Sequence, residues 1–180
     1  MGNYYLDIET TGLDEKKEQI ITIQFQELGR NTGKAVGPLR ILKAWESSEK
    51  QILEQFIEES HILGTNDWAF ISTGFNLKFE HKFLLERTKV NKLPQIDILI
   101  KPFIDLRAFA IVMNKGEFYG SGLDKITNKP TNGKLIPEWF KDKQYAKIID
   151  YIEGEAKAFV QWNAWLYQEM PEVLEKFKKE

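Results

Sequence analysis

The feature that most constrains this chain lies within its first thirteen residues, Tyr5-Leu6-Asp7-Ile8-Glu9-Thr10-Thr11-Gly12-Leu13. In a strand, residues i and i+2 point to the same face. Asp7 and Glu9 therefore present two carboxylates side by side, while Leu6 and Ile8 face the opposite way. An apolar strand of this kind belongs inside a sheet, and two adjacent anions on it repel each other. A hard divalent cation such as Mg²⁺ or Mn²⁺ is the usual compensation, because it prefers carboxylate and water oxygens. The polar loop Thr10-Thr11-Gly12 follows at once, and its backbone N–H groups can hold a phosphate or a terminal sugar.

The remaining sequence supplies partners for such a strand. Ile20 to Gln26 is rich in β-branched residues and reads as a second strand. Gly29 to Gly33 is a hairpin turn, and Ala35 to Ala44 a third strand, with Pro38 marking a break or an edge position. Ser47 or Ser48 caps a helix running to about Ser60, with Ile52, Leu53, Phe56 and Ile57 on one face. Trp68 to Ser72 reads as a short buried strand, Phe79 to Thr88 as a helix, Pro102 to Asp105 as a strand and Leu106 to Met113 as a helix. Loops follow at Gly116 to Gly122 and Asn128 to Gly133. Pro137 to Phe140 starts a helical region. A long helix is predicted from Gln144 to Gln168, with Pro171 interrupting it before a charged terminal helix. Three antiparallel strands followed by alternating helices and parallel strands predict an α/β mixed sheet flanked by helices. At 180 residues the chain reads as a single domain, 1–180.

Composition narrows the chemistry. The chain has no cysteine and two histidines, His61 and His81. A disulfide scaffold, a thiolate nucleophile and a three-histidine metal site are excluded. Lys and Arg number 25 against 27 Asp and Glu, a net charge of −2 that argues against a basic coat for long duplex nucleic acid. No apolar run is long enough to cross a bilayer, and the N-terminus lacks a basic signal-peptide region. The expected location is the cytoplasm, with no membrane partner.

Two further segments carry acids in informative settings. The first is Gly74-Phe75-Asn76-Leu77-Lys78-Phe79-Glu80-His81-Lys82-Phe83-Leu84. The second is Tyr145-Ala146-Lys147-Ile148-Ile149-Asp150-Tyr151-Ile152-Glu153-Gly154-Glu155. Together with Leu6 to Leu13, these resemble the motifs of the DnaQ-like, or DEDD, 3′→5′ exonucleases of the ribonuclease H-like fold. The second motif matches in spacing and apolar pattern, with Glu80 where the family has Asp. The third admits two registers: Tyr151 with Glu155 (Tyr, three residues, then an acid) or Tyr145 with Asp150. Helix geometry favours the former. On a wheel of about 100° per residue, Glu155 lies roughly 80° from the centre of the apolar face and Asp150 roughly 140° away, toward solvent.

The resemblance implies a two-metal phosphodiester hydrolase. Asp7, Glu9, Glu80 and Glu155 would hold two Mg²⁺ or Mn²⁺ ions, and the Asp-to-Glu exchange at Glu80 favours Mn²⁺. Tyr151 would orient the attacking water, while Thr10, Thr11, Leu13 and Asn76 would seat the terminal nucleotide. Asp105 and Arg107 resemble a non-ligand position that follows the second motif. The implied substrate is the 3′ end of a single strand, DNA favoured. The alternatives are a 3′→5′ exoribonuclease and a catalytically weakened nucleic-acid-binding module of the same fold. Phe75, Phe118 and Tyr119 are candidate stacking platforms. Lys115, Lys125, Lys129 and Lys134 read as a solvated surface cluster. A homo-oligomer can widen a small domain's grip on nucleic acid, with Trp162 and Trp165 as interface candidates. Setting four metal-binding acids aside leaves 25 basic residues against about 23 acidic ones, a balance suited to brief capture of a strand end.

Overall fold

The computed structural model describes residues 2–179. Five strands form one sheet in the order β3-β2-β1-β4-β5. β1 (Gly2–Thr10) pairs antiparallel with β2 (Ile20–Leu28), which pairs antiparallel with β3 (Arg40–Lys43). On the other side of β1, β4 (Phe70–Gly74) and β5 (Phe103–Asp105) add in parallel. The mixed sheet expected from the sequence is present, and helices cover both of its faces.

Strand alternation assigns those faces. Leu6 and Ile8 join a core with Phe25 and Phe70, closed by α1 (Glu49–Ser60) through Ile52, Leu53 and Phe56 and by α2 (Lys78–Val90) through Phe83 and Leu84. Phe25, Phe56 and Phe70 meet edge-on, at centroid separations of 5.4 to 6.3 Å, a geometry that adds about 0.5–1.5 kcal/mol per pair beyond area burial. Tyr5 faces the other way. It packs with α3 (Arg107–Met113), α4 (Leu123–Ile126) and α6 (Tyr145–Phe177) through Ala110, Leu123 and Phe159. Nearby, α5 (Ile136–Lys141) and the start of α6 cover Ile21. Ser48 caps α1 by accepting from the Gln51 backbone N–H.

One largely enclosed ion pair ties the first layer together. Glu49 accepts from the Ile20 backbone N–H at 2.8 Å, from Arg87 Nε and Nη2 at 2.9 and 2.8 Å, and from Asn91 Nδ2 at 3.0 Å. It joins β2, α1 and α2 at a single carboxylate.

Three expectations need correction. The third strand spans four residues rather than ten. A lone bridge pairs Leu28 with Ala35, and regular pairing starts only after Pro38, which has no N–H to donate. The fourth strand begins at Phe70 rather than Trp68, whose ring is half exposed (52%). Pro171 does not end the long helix, since α6 runs through it to Phe177. A proline removes one donor while keeping a helical φ, and Leu166 and Met170 anchor the preceding turn in the core.

Candidate metal centre

The site forms at the carboxyl end of β1, the central strand. Tyr5, Asp7 and Glu9 share the face turned toward α6. A register shift between Glu9 and Thr10 ends regular pairing with β2 just beyond them, a distortion common beside functional sites. Gln24 lies directly opposite Asp7 in that pairing and is wholly buried. Thr22 Oγ1 donates to Gln24 Oε1 at 3.0 Å, which leaves the Gln24 amide N–H to donate to Asp7 Oδ2 at 2.9 Å. The Tyr5 hydroxyl donates to the same oxygen at 3.1 Å.

The third acid comes from α6. Tyr151 and Glu155 lie one turn apart on its inward flank. Asp7, Glu9 and Glu155 each offer a carboxylate oxygen, all within 4.8 Å of one another. The fourth acid, Glu80, sits in the first turn of α2 and is 4% exposed. Its Oε2 has no hydrogen-bond partner among the described residues. Asp105, at the end of β5, sets where α2 begins, accepting from the backbone N–H groups of Asn76, Leu77 and Arg107 at 2.8, 3.0 and 3.0 Å. That grip holds Asn76 in a left-handed conformation, φ +67°, which asparagine tolerates better than most residues. Arg107 Nη1 then donates to Asn76 Oδ1 at 2.9 Å. The four acids, Asn76, Arg107 and Tyr151 line one cavity of about 340 Å³.

The electrostatics follow from the crowding. Burial, reinforced by Glu155, raises Asp7 from its ordinary 3.8 to about 6, even with Gln24 donating to it. Burial and then Asp7 push both Glu9 and Glu80 well above the usual carboxylate range. Burial and then Glu155 raise the Tyr151 phenol, so it keeps its proton at neutral pH. Mutually repelling carboxylates with few donors, and a buried Oε2 with none, make a donor set that fits a hard divalent ion.

A family model for the RNase H superfamily matches residues 4–177. The chain belongs to the RNase H superfamily. No curated protein matches the sequence. Among solved structures, Escherichia coli exonuclease I in complex with a 5cy-dT13 oligonucleotide aligns with a TM-score of 0.47 and 12% identity, over 62% of this chain and 29% of that one. Exonuclease I from Methylocaldum szegediense gives 0.46 and 10%, over 62% and 29%. A structure described as SSB/exonuclease I with the inhibitor CFAM gives 0.49 and 10%, over 62% and 30%. The chain thus spans about 30% of the length of these exonuclease I chains.

Within this superfamily member, the sequence-predicted residues divide into groups. Asp7, Glu9, Glu80, Tyr151 and Glu155 line the cavity together with Asn76. Asp150 is exposed and lies outside its lining. Thr10 and Thr11 are spent on the turn: Thr10 donates to the Gly12 carbonyl, and Thr11 donates to Glu18 while accepting from the Gln19 N–H. Their hydroxyls are committed to the loop and do not line the cavity. Leu13 is 85% exposed and borders an adjoining hollow with Asn76 and Phe79. Phe75 lines the cavity and packs on the buried Trp162, whereas Phe118 and Tyr119 stand on an exposed loop outside the lining. His81 is only partly exposed and faces Asp97 at 3.3 Å.

Two members of the site were not foreseen. Gln24 sits in a run whose apolar alternation concealed its role. Lys129, read from its neighbours as solvated surface, has a side chain only 18% exposed and donates to both Glu155 and Tyr151. Its sequence signal was Pro130, which marks a tight loop rather than a free lysine run. Among the described residues, no helix is long and apolar enough to cross a membrane.

Proposed function

We propose that this protein is a metal-dependent 3′→5′ exonuclease of the DnaQ-like branch, removing nucleotides from the end of a single strand, with DNA the favoured substrate. The observation that carries this reading is the convergence of four carboxylates from β1, α2 and α6 on one cavity, with Tyr151 beside them. Asp7, Glu9, Glu80 and Glu155 would hold the ions. Bound Mg²⁺ or Mn²⁺ would supply Lewis-acid stabilisation of the phosphate and lower the pKa of a water.

The protein's own groups do the rest. Tyr151 stays protonated, so it positions a water by hydrogen bonding rather than removing its proton. Arg107 and Asn76, fixed to each other at the cavity wall, would meet a phosphate or sugar entering the cavity. Phe75 and the exposed Leu13 offer apolar surface to a terminal base. A cavity of about 340 Å³ holds roughly one nucleotide, at the low end of small-ligand sites. That size suits a frayed end better than a paired helix.

The test uses 5′-labelled single-stranded DNA and RNA with Mg²⁺, Mn²⁺ or EDTA. A ladder shortening from the 3′ end with a divalent ion, absent in EDTA, is the expected outcome. Faster shortening of RNA would move the assignment to an exoribonuclease. Binding without cleavage under every metal condition would sink the enzymatic reading.

A further inference from the structure

The loop between α4 and α5 places a cation among the acids. Lys129 Nζ donates to Glu155 Oε1 and, at 3.1 Å, to the Tyr151 hydroxyl, and lies 5.6 Å from the centre of the Tyr151 ring. The lysine and glutamate side chains are 18% and 13% exposed. A pair this enclosed is not a surface ion pair.

The loop that carries the lysine is seated on α6 by close packing. A Cβ at Gly154 would come within 2.7 Å of the Pro130 ring, and one at Gly133 would overlap the Tyr151 phenol. Glycine within a helix costs roughly 1 kcal/mol relative to alanine. At position 154 its bare backbone makes room for Pro130, the residue next to Lys129. Loop and helix are thus fitted to each other on both sides of the lysine. The Thr127 hydroxyl also donates to the Leu123 carbonyl at 2.7 Å, tying the loop to α4.

We propose that Lys129 is a resident counter-cation of the site, which competes with a divalent ion for Glu155. This rests on the metal-centre reading above. Glu155 cannot give the same oxygen fully to a metal while the ammonium holds it. An ion bound toward Asp7 and Glu80 meets the lysine only through space, because Lys129 donates to neither residue although its charge reaches Asp7. An ammonium that leaves Glu155 is best received by another anion, and a phosphodiester entering the cavity is the anion this site would admit. Full metal occupancy is thereby coupled to the presence of a strand end. Lys129 acts here as a positioning residue: it holds Glu155 and Tyr151 in place until the substrate arrives.

The experiment is calorimetric titration of Mn²⁺ alone into the full chain without nucleic acid, comparing wild type with Lys129→Met and Lys129→Arg. Methionine keeps length and removes charge, while arginine keeps the charge. Lys129→Met is expected to gain a second binding event or to tighten binding by about tenfold, the scale on which neighbouring groups tune metal affinity. Lys129→Arg is expected to follow wild type. A melting curve in EDTA and in Mn²⁺ supplies a readout independent of the isotherm. Lys129→Met should melt lower than wild type in EDTA, with Glu155 left uncompensated, and should gain more from Mn²⁺. Identical isotherms and identical Mn²⁺-induced shifts in wild type and Lys129→Met would overturn the competition while leaving the metal centre intact. No Mn²⁺ binding by any of the three proteins would overturn both.

Discussion

Two clusters of largely enclosed acids in this molecule are built on opposite terms. Glu49 has four donors: a backbone N–H, both arms of the Arg87 fork and the Asn91 amide. Its charge is matched within the fold, and it serves to hold β2, α1 and α2 in place. Around Asp7 the ratio is reversed. Four carboxylates share Gln24, Tyr5 and Lys129, and Glu80 Oε2 has no donor among the described residues. One cluster is complete as folded, and the other leaves room for charge from outside. A buried acid therefore reads as structural or functional by its donor count, not by its burial.

The largest expected effect lies in the matched cluster. Glu49→Ala should destabilise the protein by about 3 kcal/mol, because it removes four hydrogen bonds and strands the Arg87 guanidinium in a largely enclosed site. Denaturant melts measure this. The same variant should leave Mn²⁺ affinity unchanged where it still folds. If Glu49→Ala is tolerated within about 1 kcal/mol, the contrast between the clusters collapses from the structural side.

A narrower effect separates two acids on one helix. Glu155→Gln should lower the rate of 3′ trimming by at least roughly 10²-fold, on the scale of losing one preorganised electrostatic group. Asp150→Asn should leave it within about twofold, since Asp150 is exposed and outside the cavity. Single-turnover trimming of a 5′-labelled strand measures both, and the reverse ranking would move the third-motif ligand to Asp150.

The sequence made these sites legible to different degrees, for physical reasons. The pair Asp7 and Glu9 could be read at once, because strand alternation alone fixes their common face. Glu155 could be chosen over Asp150 because helical periodicity alone sets which flank is inward. Neither inference needs tertiary information. Lys129 and Gln24 could not be read this way. Lys129 reaches Glu155 across 26 residues, through a loop whose seat depends on the absence of side chains at Gly133 and Gly154. Gln24 faces Asp7 only because of the β1–β2 register. The partners of the Thr10 and Thr11 hydroxyls are equally hidden from the sequence, because they depend on how the turn folds back on its own carbonyl, N–H and Glu18 groups. Pro171 marks a helix end by local propensity, whereas the core formed with Leu166 and Met170 decides that the helix continues.

The Asp7 cluster carries more negative charge than the fold alone accommodates. Asp7 titrates near 6 in the fold against 3.8 ordinarily, so the native state binds more protons than the unfolded state between those values. The stability this confers is complete below about 3.8 and is lost as pH rises through about 6. Asp7→Asn is neutral throughout and escapes that loss. The decisive measurement is the melting temperature of wild type and Asp7→Asn in EDTA at pH 5 and pH 8, repeated with Mn²⁺. Asp7→Asn is expected to melt above wild type at pH 8, with a smaller difference at pH 5, and Mn²⁺ to stabilise wild type more than the variant. A variant that melts below wild type at pH 8 in EDTA, with the same response to Mn²⁺, would show that the cluster's charge is matched within the fold.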